Sequence, residues 1–224
     1  MFPGSLLAAA EHLRWLLDRG YPQAASVKLV GDRHRIDRAG RQILSRGVSA
    51  TADGARRARL VLSARAKGVG RLGIDGHNAV LTVANYIAGV PVFEADDGLI
   101  RDIGALHGRL HDESLMRRAL DILADSLETV DADSVLAVFD APLSHSRDHA
   151  SYFRACLAGA GIDAEVSVVP SGDRALMDAT IDAVATSDSA LIDAVGLPVV
   201  DAARIALDDA FGPEYDSLIP ETRA

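Results

Sequence analysis

Asp75, Asp140 and Asp188 each stand where an apolar run stops. Residues 72–74 precede the first, 135–139 the second, and 183–185 with Thr186 and Ser187 the third. Short apolar runs of this kind read as buried strands. If they lie parallel in one sheet, their carboxyl ends share one rim, which is where α/β folds bind ligands. Carboxylates gathered there repel one another and raise one another's pKa. A divalent cation such as Mg²⁺ or Mn²⁺, which takes oxygen ligands, relieves that repulsion. Metal-assisted hydrolysis of a phosphate ester needs acids and little else, and no Ser-His-Asp arrangement is evident. Each Asp also suits a turn or a helix N-cap, and that reading stays open beside the first.

The elements that must position these acids follow from periodicity. Helical spacing appears over residues 79–87, 114–127, 149–160, 173–181, 189–195 and 202–210, and further strands over 90–93, 164–169 and 198–200. Strands alternating with helices predict an α/β fold with a mainly parallel sheet. A polar tail from 213 to 224 is expected to be loose. Gly68, Gly70 and Gly73 fit G-x-G-x-x-G, but they precede a strand instead of following one, so a dinucleotide site is rejected.

The segment ahead of the sheet differs in charge. Residues 1–71 hold 14 Lys and Arg against 5 Asp and Glu, a net of +9, within a chain of net −9. Residues 1–48 read as three helices with Gly stops, the first capped by Ser5, the second opened by Pro22, the third capped by Asp37. The second and third suggest a helix-turn-helix pair, with Arg33, Arg38 and Arg41 on or near the third helix. Residues 49–71 form a basic connector, with Arg56, Arg57, Arg65 and Lys67, before an α/β domain over 72–212. Arg33, Arg38, Arg41, Arg56 and Arg57 are the candidates for contacting a nucleic acid, since neutralising phosphates releases counterions. A solvated basic face is the plainer alternative.

The motifs then resemble a known family. Ile74-Asp75-Gly76-His77-Asn78, Val138-Phe139-Asp140 and Ala185-Thr186-Ser187-Asp188 look like the pattern of PIN-like nuclease domains, in particular their NYN branch, over about residues 72–200. That resemblance implies a Rossmann-like sheet flanked by helices and an RNA-cutting site with Mg²⁺ or Mn²⁺. Asp75, Asp140 and Asp188 match the metal ligands or their close supports, and Asn78 the amide that orients the site. Asp173 is the best match for the remaining acid, with Asp178 second. Ala141-Pro142 replaces the family's Gly after the middle acid. The whole chain, with Trp15-Leu16-Leu17-Asp18-Arg19-Gly20-Tyr21-Pro22 and Val30-Gly31-Asp32-Arg33, also resembles a prokaryotic family, domain of unknown function 434, which implies no activity of its own.

The remaining candidates suit ordinary structural roles. His107 with His111, and His145 with His149, are four apart, but spacing fixes no third ligand. Ser144 or Ser146 suits a helix N-cap beside Asp140. The charged run Asp96-Asp97-Gly98, with Arg101 and Asp102, would line a substrate groove or form a solvated loop. Aromatic residues at 4% are too few for a base-stacking platform. The lone Cys156, expected in the core, excludes an internal disulfide and a Cys-rich zinc site and makes the cytosol the default compartment. No apolar stretch of 18 residues exists, so no membrane span is expected. The sequence thus points to a metal-dependent ribonuclease, with RNA as partner and a homo-oligomer compatible. The alternatives are a non-catalytic nucleic-acid-binding module and a metal-dependent phosphatase of a small ester.

Overall fold

The computed structural model describes residues 1–61, 68–104 and 112–220. Arg65, Lys67, His107 and His111 lie outside them. A four-stranded parallel sheet is built from β1 (Arg71–Asp75), β4 (Ser134–Asp140), β5 (Ala164–Val169) and β6 (Ala183–Ala185), in the order β5-β4-β1-β6. The chain moves outward from β1 through β4 to β5, then returns to the other side of β1 as β6. The reversal leaves a crevice between the ends of β1 and β6, the place where such sheets take ligands.

Alternation along β4 shows why these segments are strands. Val135, Ala137 and Phe139 enter one core, and Leu136 and Val138 the other. Both faces are covered, so the strand reads as a continuous apolar run. One face carries α5 (Gly76–Ile87), α6 (Glu113–Leu127), α7 (Ser146–Gly159) and α10 (Ala202–Phe211). The other carries α8 (Gly172–Asp178) and α9 (Ser189–Val195). Beyond β6, residue 198–200 pairing shrinks to single bridges, Val199 with Val184 and with Val61.

The basic segment forms α1 (Gly4–Leu17), α2 (Gln23–Arg33), α3 (Arg38–Gly47) and α4 (Thr51–Leu60). Asp37 caps α3 as expected, accepting from the Gly40 amide at 2.8 Å. Ser5 does not cap α1, which starts one residue earlier behind Pro3, and α2 runs through Gly31 to Arg33. At the start of α7 the cap is His145, in the left-handed region, not Ser144 or Ser146. The Ser146 hydroxyl is occupied by the Asp140 and Leu143 carbonyls.

Two expectations are corrected by the structure. A second small sheet, β3-β2-β7, joins β2 (Val92–Glu94), β3 (Ile100–Asp102) and β7 (Asp216–Ser217). The tail is therefore not loose up to residue 220. Its Leu218 is 3% exposed and packs with Phe93 in the core of the helices, beside Leu6, Leu13, Ile43 and Leu44. Gly47 permits this: a Cβ there would lie 2.5 Å from the Phe93 ring and 2.6 Å from Leu218. The helices thus do not close a core of their own.

Much of the basic charge is used inside the molecule. Arg57, 8% exposed, donates two hydrogen bonds to Asp193 of α9, at 2.8 and 2.6 Å, and Arg56 donates to the same carboxylate at 3.0 Å. Arg41 donates to the Ile36 carbonyl and to Asp32, closing the α2–α3 turn. These three, expected as nucleic-acid contacts, each hold a partner within the fold. Arg33 and Arg38 are exposed. Asp193→Asn strands the buried Arg57 guanidinium and should cost about 2–3 kcal/mol in urea unfolding, while Arg57→Ala leaves an exposed carboxylate still paired with Arg56 and should cost less. The double variant should cost clearly less than their sum. Additive losses would show the pair to be uncoupled.

Candidate functional site

Three strand ends meet at the crevice. Asp75 closes β1 and caps α5, its Oδ1 accepting from the Asn78 amide at 3.2 Å. Gly76 makes the sharp entry possible, since a Cβ there would lie 2.7 Å from the Phe139 ring. The Thr186 hydroxyl donates to Asp75 Oδ2 at 3.2 Å and receives the Asp188 amide at 3.1 Å. Asn78 ties the two strand ends together: its Oδ1 accepts from the Ser187 amide at 2.8 Å and the Ser187 hydroxyl at 3.0 Å. Asp188 in turn caps α9, accepting from Ala190 and Leu191. Asp140, two residues farther along its strand than the position facing Asp75, accepts from the Gly172 amide at 2.7 Å. Asp173 follows in the first turn of α8.

The acids share an electrostatic field. Burial pushes the Asp75 carboxyl up to about 7, and the carboxylates of Asp173 and Asp140 add to the rise against the bonds from Asn78 and Thr186. Asp173 is raised by burial, then by Asp188 and Asp140. The largest influences on either value include no basic side chain. Asp75 thus feels Asp173 and Asp140, and Asp173 feels Asp188 and Asp140. Asp75 and Asp188 are also the helix caps of the plainer reading. Among the described residues no three His, Cys, Asp or Glu side chains stand ready-placed around a metal position. Asp178 pairs with Arg174 at 2.7 Å, away from this group's interactions.

Sequence reasoning gave His77 no role. Its Nδ1 accepts from the Asp140 amide at 3.0 Å, which leaves the proton on Nε2. That Nε2 is buried without a partner, as are both ring nitrogens of His149, whose ring centre lies 6.2 Å away. Burial, with His149 nearby, pulls His77 down to about 4, so the ring is neutral near pH 7. Its place between Asp75 and Asn78 was the available signal. Cys156 is half-buried against the core with its thiol pushed up to about 11 by burial, and it donates to Asp121.

Beside the rim, a cleft of about 550 Å³ opens between the helices and the sheet. Asn78, Ser187 and Asp188 line one side, Ser45, Arg46 and Ser49 the other. Of the charged run at 96–102, Asp96, Asp97 and Arg101 reach the cleft wall, but the run is not a solvated loop, since Asp97 and Arg101 are buried in a two-bond pair. Arg101 belongs to that run, and Arg46 of α3 joins it because docking of the helices creates this wall.

Sequence comparisons place the chain among relatives. The family model for a domain of unknown function, DUF5616, matches residues 65–204. The chain belongs to this family. A second model, a protein of unknown function (DUF434), matches residues 5–59, so that resemblance holds for the helices and not for the whole chain. The boundary between the DUF434 and DUF5616 matches falls within the basic connector. An uncharacterized protein of Methanocaldococcus jannaschii is 24% identical over 172 residues, covering 77% of this chain and 82% of its own length. No solved structure matches the chain. Among the described residues no helix is long and apolar enough to cross a membrane.

The buried acid gives a pH test. A carboxyl raised from 3.8 to about 7 holds a proton in the folded chain that the unfolded chain has lost. Its contribution to stability is full below about pH 4 and disappears as pH rises through 7. Asp75→Asn should therefore be more stable than wild type at pH 8, on the order of 3 kcal/mol, with the gap closing toward pH 4. His77 and His149 act in the opposite direction, favouring the unfolded chain as pH falls below about 6.5, but they cancel in this difference. Thermal melts with chelator, from pH 4.5 to 8, read it directly. A gap that does not change with pH would show Asp75 to be ionised throughout.

Proposed function

We propose that this DUF5616 protein is a divalent-cation-dependent hydrolase of RNA phosphodiester bonds, acting at the rim of Asp75, Asp140, Asp173 and Asp188. The supporting observation is Asp75, 7% exposed at the centre of a parallel sheet, with carboxylates but no basic side chain among the largest influences on its charge. Oxygen-rich, uncompensated acids suit Mg²⁺ or Mn²⁺. No ready-placed cage exists among the described residues, so the side chains would close on the ion. Asp75, Asp140 and Asp188 would hold it, and a bound cation lowers the pKa of water and steadies charge on phosphate. Asn78 keeps the Ser187–Asp188 backbone against β1, and His77 does the same for the end of β4. Asp173, exposed and raised, can take a proton near the rim. The resemblance of the three motifs to PIN-like domains supports the same chemistry.

One observation favours a second reading, hydrolysis of a small phosphate ester. The cleft has the volume of a small-ligand site, and Arg41, Arg56 and Arg57 are spent within the fold. Assays on a mixed RNA pool and on nucleoside monophosphates, with Mn²⁺ or with chelator, separate the readings. RNA shortening that needs Mn²⁺ and falls roughly 100-fold or more in Asp75→Asn and Asp140→Asn is expected. Phosphate release from monophosphates alone would install the second reading. Mn²⁺-independent RNA retention without turnover of either substrate would leave a non-catalytic binding module and overturn both.

A further inference from the structure

The charged groups of the cleft wall are, with one exception, held by partners inside the protein. Arg57 is held by Asp193. Arg101 donates to Asp97, to the Ser187 carbonyl and to the Ser189 hydroxyl. Asp96 accepts from Ser49 and Arg14, and Asp53 from Arg56. Asp188 caps α9.

Arg46 differs. Its Nε is buried and has no hydrogen-bond partner. Its nearest carboxylate, Asp102, stands 3.8 Å from Nη2, an ion pair without a hydrogen bond. The side chain is 34% exposed and lines the same cleft as Asn78 and Asp188. A buried donor left unmade is costly, and a native fold keeps few of them without a use. A guanidinium is a planar fork that matches phosphate oxygens in pairs. The exposed end of such a fork stands on the helical wall, its Nη2 engaged only by that 3.8 Å ion pair, beside the acid rim of the opposite wall. Leu17, Tyr21 and Val48 add an apolar stretch to the same side, where a base or ribose can lie.

We propose that Arg46 anchors the phosphate of a nucleotide-sized ligand, a nucleoside 5′-monophosphate or the phosphorylated end of a strand, in the cleft between the helices and the sheet. The ligand class rests on the phosphate-ester reading above. The anchoring does not require a bound cation. The site is composite: the DUF434 segment supplies the anchor and the DUF5616 domain the acids.

Titration calorimetry on the full chain, with chelator and no added cation, tests it. AMP and a 5′-phosphorylated tetranucleotide are the probes, with adenosine and the 5′-hydroxyl tetranucleotide as controls. The phosphorylated probes should bind and the controls should not. Tighter binding of AMP than of the tetranucleotide would identify the free nucleotide as the ligand, and the reverse order the strand end. Arg46→Ala should weaken binding tenfold or more, and Arg46→Lys should restore part of it. Arg46→Gln, which keeps the length of the stem, replaces Arg46→Ala if the latter melts early. Wild-type protein that binds neither phosphorylated probe, or Arg46 variants that bind them as wild type does, would overturn the proposal. Failure of Mn²⁺-dependent hydrolysis with intact, Arg46-dependent AMP binding would overturn the catalytic reading alone.

Discussion

The bidentate contact between Arg57 and Asp193 sets the relation of the two halves of the molecule. Arg57 reaches across from the last turns of α4, and Asp193 lies one turn into α9, the helix that Asp188 caps. The same short helix therefore carries both the docking carboxylate and one acid of the rim. Arg14 and Ser49 make a second crossing to Asp96. Between these two crossings lies the cleft. The opposite charges of the N-terminal segment and the rest of the chain thus have an internal use, since the basic helices are bound by the acidic domain they precede.

Three of the four acids of the rim have a structural task as well as a chemical possibility. Asp75 caps α5, Asp188 caps α9, and Asp140 holds the entry to α8 through Gly172. The tasks and the chemistry are compatible. A carboxylate held by backbone amides has its rotamer fixed, and a site gains from groups that are held in place before a ligand arrives. The cost appears at Asp75, where burial disfavours the charge that the chemistry requires. His77 sits just behind, neutral and supporting the end of β4, so the site has a buried layer beneath its exposed one.

The large sheet was legible because its strands are buried on both faces. An apolar run such as 135–139 fits little besides a covered strand, and the acids at the run ends marked the rim. Of the small sheet only β2 was legible, as the strand expected over 90–93, and its pairing was not. The strands of this sheet have two or three residues, and β7 pairs with a strand more than a hundred positions earlier, so no local pattern announces their pairing. The same limit applied to charge. Arg41, Arg57 and Arg33 look alike in sequence, yet the first two are partnered within the fold and the third is exposed. Arg46 gained its place in the cleft only when distant segments came together. Helix starts failed where a hydroxyl beside a turn suggested a cap, at Ser5 and Ser146, but the turn geometry placed Pro3 and His145 there instead.

Leu218 fills the space among α1, α3 and Phe93, and β7 brings it there. A ribosome releases the four helices long before it releases that leucine. During that interval the helices have an open seam where Leu218 and Phe93 will later lie. Closing a loop of some two hundred residues adds only logarithmically to the entropic cost, but it makes that contact a late one in time. The helical module, synthesised ahead of the sheet, is thus among the last parts to be finished. Exchange of such helical segments between proteins by gene fusion would have to carry the distant strand along, or replace it with another apolar plug.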